Sequence, residues 1–165
     1  MKRQPAAYRE AIVALVPQLR AFARFLARDV ARADDLVQDT VVRAFERQEA
    51  WTEGTDLRAW TCRILRNLFL DQERRRRVER RGLAAMPAED GTSHPPAQTG
   101  QDALRDLDAA IATLPAPQRE ALILVAALEM SLAEAAEITG APEGTVKARV
   151  SRARAALART YHARS

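Results

Sequence analysis

Apolar positions in this chain recur at three- and four-residue spacing, the period of helices that bury one face. Leu19, Phe22, Ala23 and Leu26 mark one such helix. Asp34 is a capping residue type ahead of a second, which carries Val37, Val41, Ala44 and Phe45 on one side. The polar segment 51–56 interrupts the pattern, and a third stripe follows at Leu57, Thr61, Ile64, Leu65 and Leu68. Further on, Leu104, Leu107, Ile111 and Leu114 make a helix stopped by Pro115 and Pro117, and residues 118–128 make another. Ser131 caps a short helix to Thr139, Gly140 ends it, and Pro142 begins a turn. Gly144 leads into a last helix with Val146, Val150, Ala153 and Leu157 inward.

The periodicity fails over residues 78–101, where Gly82, Pro87, Gly91, Pro95, Pro96 and Gly100 fall among small polar residues. That composition predicts a flexible linker. The expected organisation is a helical domain over 1–77, a linker over 78–101 and a second helical domain over 102–165. No sequence repeats are found.

Composition supports an all-α fold. Apolar residues make up 47% of the chain and aromatics only 5%, with strong helix formers abundant. Cys62 is the only cysteine, and His94 and His162 lie far apart, so neither a disulfide framework nor a standard zinc spacing is available. No cofactor and no metal site are expected. The longest apolar run, residues 121–128, is too short to span a bilayer, and the N-terminus lacks a signal-peptide core. A cytoplasmic protein without membrane insertion is expected.

Charge placement changes the picture more than the formal net of +4. Residues 144–161 hold Lys147, Arg149, Arg152, Arg154 and Arg159 and no acid, and a second cluster spans Arg74, Arg75, Arg76, Arg77, Arg80 and Arg81. Clustered positive charge points to a polyanion, although a solvated arginine face has the same composition. At about 100° per residue, the outward face of the last helix presents Ala148, Ser151, Arg152 and Ala155 between cations. Small residues permit close approach to a major-groove floor, with Lys147 and Arg152 in reach of guanine edges and Arg149 and Arg154 suited to phosphates. With the short helix and glycine turn before it, this is a helix-turn-helix pattern.

Two patches in the first domain carry further chemistry. Arg63 and Arg66 lie opposite the stripe of the third helix, with Asn67 at one edge beside Trp60, and Trp51 precedes the polar loop. Aromatics beside arginines and an asparagine suit unpaired bases, while tryptophans at helix edges are also common core residues. Asp35, Asp39 and Val42 align at i, i+4 and i+7 with Gln38 beside them. An acidic stripe with an exposed valine suits a cationic protein partner, or is a solvated edge near a helix start. No Ser/His/Asp or Cys/His set, glycine-rich phosphate loop or HExxH sequence is present, so no enzyme activity is expected.

Three stretches resemble one family in order. Residues 34–40 resemble region 2.2 of the extracytoplasmic-function (ECF) sigma factors of bacterial RNA polymerase, residues 57–67 with Asp71 resemble regions 2.3 and 2.4, and residues 144–154 resemble region 4.2. The resemblance implies a region 2 helical bundle and a region 4 helix-turn-helix, which direct the polymerase to promoters and promote strand opening. It assigns Asp35, Gln38, Asp39 and Val42 to the β′ clamp helices of core polymerase. Trp51, Trp60, Arg63, Arg66 and Asn67 would hold the melted −10 strand. Thr145, Lys147, Ala148, Arg149, Ser151, Arg152 and Arg154 would contact the −35 duplex. Core polymerase (β′ clamp helices and β flap), promoter DNA and an anti-sigma protein are the implied partners. Residues 121–125 and 134–138 look most like the alphaproteobacterial general-stress-response, EcfG-like subgroup, whose members a small anti-sigma protein restrains. Ala148 and Ser151 depart from residues frequent in relatives, which leaves the exact −35 sequence open. Two other readings remain: a stand-alone helix-turn-helix regulator, which leaves the first-domain patches without purpose, and a sigma mimic that titrates an anti-sigma protein, which has no need of a basic recognition helix.

Overall fold

The computed structural model describes residues 6–82 and 101–163, the side chain of Gln101 excepted, and these form two compact units. Among the described residues there are seven α-helices and no strand. In the first unit α1 (Ala6–Ala27), α2 (Val30–Glu46) and α3 (Leu57–Gly82) pack pairwise into a three-helix bundle. Its core takes Leu19, Phe22 and Ala23 from α1, Leu36, Val37 and Ala44 from α2, and Ala59, Cys62 and Leu65 from α3. Thr40 and Thr61 are also fully buried, at no polar cost: the Thr40 hydroxyl donates to Leu36 O at 2.7 Å and Thr61 to Leu57 O at 2.9 Å.

The cap of α2 is Asp29, not Asp34. Asp29 has extended backbone and its side chain accepts from Arg32 N at 2.9 Å, so the helix starts a turn earlier than the acidic pair suggests. Asp34 sits inside the helix, with Oδ1 at 3.4 Å from Arg20 Nε on α1. A second tie, Arg32 to Glu73 at 2.6 Å, joins the first turn of α2 to α3. Asp56 opens α3 by accepting from the N–H groups of Arg58 and Ala59, at 2.9 and 3.3 Å. At its other end α3 runs to Gly82, five residues into the expected linker. Arginines are good helix formers, so the run 74–77 extends the helix rather than ending it. Residues 83–100 of the expected linker lie outside the described residues.

In the second unit α5 (Ala116–Leu122) and α6 (Leu132–Thr139) pack against α7 (Glu143–His162), and α4 (Gln101–Ala112) touches α7 more lightly. The helix expected over 118–128 is divided: α5 ends at Leu122 and a π-helical turn, Ile123–Ala127, follows. Leu128 N–H reaches back to Ile123 O at 3.0 Å. Ile123 and Leu124 in this turn are buried, and so are Leu128 and Met130 just after it.

Glu129, just past that turn, has φ of 53°, the left-handed region that costs a side-chain-bearing residue roughly 1–2 kcal/mol. Glu129→Gly should raise stability by about 0.5–1 kcal/mol, after allowing for the freer unfolded glycine. Chemical denaturation reads this as a higher midpoint at unchanged slope.

Candidate nucleic-acid interface

The turn ahead of α7 is built by local chemistry. Ser131 Oγ accepts from Glu134 N–H at 3.1 Å while Glu134 Oε2 accepts from Ser131 N–H at 2.6 Å, a reciprocal cap that fixes the start of α6. Gly140 ends α6 with φ of 70° and Pro142 caps α7, so two helices are set at a short, rigid corner. Val146, Val150 and Ala153 are buried, as the periodicity predicts. That fixes the rotation of α7. Thr145, Lys147, Ser151, Arg152 and Arg154 face solvent, and Ala148 and Arg149 are half-buried at the shoulders of the helix. The exposed surface is a strip of small residues flanked by cations.

In the first unit the structure gathers a group that the sequence leaves scattered. The end of α2 and the middle of α3 bound a groove of about 360 Å³. Arg43 on α2 and Arg47 just past its end line it, with Asn67, Asp71 and Arg74 and the apolar Ile64, Leu68 and Leu70 of α3. Cations, an amide and apolar side chains lining one groove suit the phosphate, the edge and the face of a base. Asn67 was expected in such a site; Arg43 and Arg47 were missed. Their only signal is i, i+4 spacing at a helix end, and α3 must fold back before it means anything.

The remaining expected strand contacts are distributed differently. Arg63 is exposed and Arg66 half-buried, and neither lines the groove. Trp51 and Trp60 are part of the packing: both lie against the buried cluster of Tyr8, Ile12 and Ala44. The Tyr8 and Trp51 rings are 5.6 Å apart, and the Tyr8 hydroxyl donates to Ala44 O at 2.8 Å. Between Trp51 and α3 the loop is held by a turn in which Thr55 Oγ1 donates to Thr52 O at 2.6 Å, leaving residues 52–56 exposed.

The acidic stripe of α2 faces solvent. Asp35, Gln38, Asp39 and Val42 are all exposed, Val42 by 55%, while Leu36, Val37 and Thr40 on the same helix are buried. Cys62 is fully buried, and burial pushes its thiol up to about 12, so it stays protonated at neutral pH and has no reactive thiolate. Among the described residues no group of His, Cys, Asp or Glu could hold a metal ion, and no helix is long and apolar enough to cross a membrane.

Comparison with known proteins decides the family. Residues 11–79 match Sigma-70 region 2 and residues 104–157 match Sigma-70, region 4. The chain is 45% identical to the ECF RNA polymerase sigma factor EcfG of Rhodopseudomonas palustris over 149 residues, covering 90% of this chain and 82% of that one. The chain belongs to the ECF sigma factors. It is of EcfG-like type. It is also 37% identical over 139 residues to the ECF sigma factor SigC of Mycobacterium tuberculosis, covering 81% of this chain and 74% of the relative. Among solved structures it resembles the sigma factor RpoE of Bartonella quintana, in complex there with the anti-sigma factor NepR. The TM-score is 0.79 at 36% identity, covering 96% of this chain and 98% of the other. The ECF sigma factor thus directs RNA polymerase to promoters, as a transcription initiation factor.

Proposed function

We propose that three surfaces divide the work of initiation. The outer stripe of α2, with Asp35, Gln38, Asp39 and Val42, docks on the β′ clamp helices of core polymerase. The groove of Arg43, Arg47, Asn67 and Arg74 receives an unpaired base of the −10 strand, with the exposed loop 52–56 and Arg63 beside its path. Trp51 and Trp60 brace that region from the core side. On α7, Lys147 and Arg152 read −35 base edges, Ala148 and Ser151 allow the approach, and Thr145, Arg149 and Arg154 hold phosphates.

One observation carries the reading: the chain displays two nucleic-acid surfaces of different chemistry. The groove sets cations and an amide beside apolar side chains, a combination suited to a base removed from its stack. The helix has a cation-flanked strip suited to intact duplex. A stand-alone duplex regulator needs only the second. Capture of the unpaired base favours the open state while the duplex contact holds the protein in place, so strand opening needs no catalytic group and no enzyme activity is assigned.

The likeness to a sigma factor held by NepR supports a small anti-sigma protein as regulator, within a cytoplasmic general stress response. Leu104, 67% exposed, and Leu107, 43% exposed, give α4 an uncovered apolar edge that suits the polymerase β flap.

The −35 assignment is tested by Arg152→Ala in holoenzyme binding to promoters varied one base at a time. A bidentate guanine contact predicts a loss of about 1–3 kcal/mol confined to one position. An equal loss on every sequence makes Arg152 a phosphate contact.

A further inference from the structure

Two helices of the first unit carry one pattern in opposite sense. Arg9, Val13 and Arg20 follow along α1 at steps of four and seven, and Asp35, Val42 and Glu46 follow along α2 at steps of seven and four. Each set therefore shares one stripe of its helix. The spacing mirrors and the charge inverts: cation, valine, cation on α1, and acid, valine, acid on α2. All six residues are exposed, Val13 by 60% and Val42 by 55%. A lone exposed valine is ordinary, but two side by side between charges make an apolar spot with a polar rim.

Packing sets the two stripes alongside each other. The guanidinium of Arg9 lies over the Phe45 ring, 5.6 Å from its centre, and Arg20 Nε is 3.4 Å from Asp34 Oδ1. α1 and α2 are thus antiparallel, with Arg9 level with Phe45 and Arg20 with Asp34. One position on, Glu46 is level with Arg9, Val42 with Val13 and Asp35 with Arg20. Within the chain, Arg20 is engaged by Asp34 and Glu46 by Arg43, at 3.4 and 3.9 Å. A solvated surface needs charges of both signs, but it has no need of this register.

Such a face is its own complement. A twofold axis parallel to the helices lays α1 of one copy over α2 of another, and every level pairs: Arg9 with Glu46, Val13 with Val42 and Arg20 with Asp35, each twice. We propose that the free sigma factor self-associates through this face into a twofold dimer. The stripes are about 17 Å long at 1.5 Å per residue, which sets the contact at the small end of specific interfaces, below about 1,200 Å², so the dimer is weak and concentration-dependent. Its consequence rests on the core-docking reading above, because Asp35 and Val42 belong to both contacts. The dimer then hides the docking stripe, and core polymerase opens it by mass action.

Sedimentation equilibrium of the full chain, without polymerase, tests the dimer. Wild type should pass from monomer to dimer as concentration rises, and salt should move that transition to higher concentration. Arg20→Glu and Asp35→Arg each create two like-charge contacts, and each alone should weaken association at least about tenfold. Mixed in equal amounts, the two variants should form one-to-one heterodimers, because each substitution then meets the other across the axis. The pair Arg9→Glu and Glu46→Arg repeats the test away from the Arg20–Asp34 contact and covers a loss of folding in the first pair. A wild type that stays monomeric, or single variants whose mixture gains nothing, overturns the proposal, and neither result bears on core docking. That reading is separated by adding core polymerase. The dimer should disappear as holoenzyme forms, whereas a dimer bound intact to core overturns the hidden stripe and puts core docking on another face.

Discussion

Asp39→Arg should remove most of the affinity of this sigma factor for core polymerase while leaving the fold intact. Asp39 is exposed at the centre of the α2 stripe, between Asp35 one turn before it and Val42 one turn after it. Reversing its sign against a cationic partner replaces an attraction with a like-charge contact. Such contacts cost several kcal/mol, so the dissociation constant should rise by about 30- to 1,000-fold. The fold has no reason to suffer. The substitution even relieves the repulsion between Asp35 and Asp39, worth a few tenths of a kcal/mol on a helix surface. Binding to immobilised core enzyme, with a thermal melt of the free protein alongside, reads both effects. Unchanged affinity would place the docking face elsewhere, and a lowered melting midpoint would mean that Asp39 is structural.

Phe22→Ala should have the largest effect on stability, and on one unit only. Phe22 is fully buried in the second half of α1, among the largest side chains enclosed in the first bundle. Truncation leaves a cavity where α1 meets its neighbours, at a cost of about 3–5 kcal/mol. A bundle of this size has little more than that to lose. The second unit has its own core of Leu124, Ile138, Val146 and Val150, so its transition should stay in place. Hydrogen exchange of the intact chain separates the two: amides of α1 to α3 should exchange much faster, and those of α5 to α7 as before. Equal acceleration in both units would show that they fold as one.

What the sequence made legible was mostly local. Ser131, Gly140 and Pro142 act through their own backbone, and each sits where its chemistry requires. The buried face of α7 follows from the spacing of Val146, Val150 and Ala153, and with it the outward strip proposed to read DNA. The failures are tertiary. Asp29 and Asp34 are both adequate caps, and only the packing of Ala33 and Leu36 selects the earlier one. The π turn at Ile123–Ala127 is a choice of register within an apolar run, which periodicity cannot resolve. A left-handed Glu129 carries no local signal, since that position favours glycine.

The groove shows the same limit in the functional site. Asn67 is visible in the sequence because it lies at a helix edge beside Trp60, near Arg63 and Arg66. Arg43 and Arg47 are twenty or more residues away and become partners of Asn67 only when α2 packs on α3. The tryptophans, which composition makes candidates for stacking on bases, are half-buried and also give hydrophobic surface to the cluster around Tyr8 and Ile12.

The central claim is that this chain acts on DNA as a polymerase subunit through two separate elements. Run-off transcription with purified core RNA polymerase, on a promoter library randomised upstream of the start site, tests it most directly. Transcripts are expected only when the sigma factor and core enzyme are both present, from templates sharing two sequence elements at a fixed spacing. Tight, specific duplex binding by the protein alone, with no core-dependent transcription from any template, would contradict it.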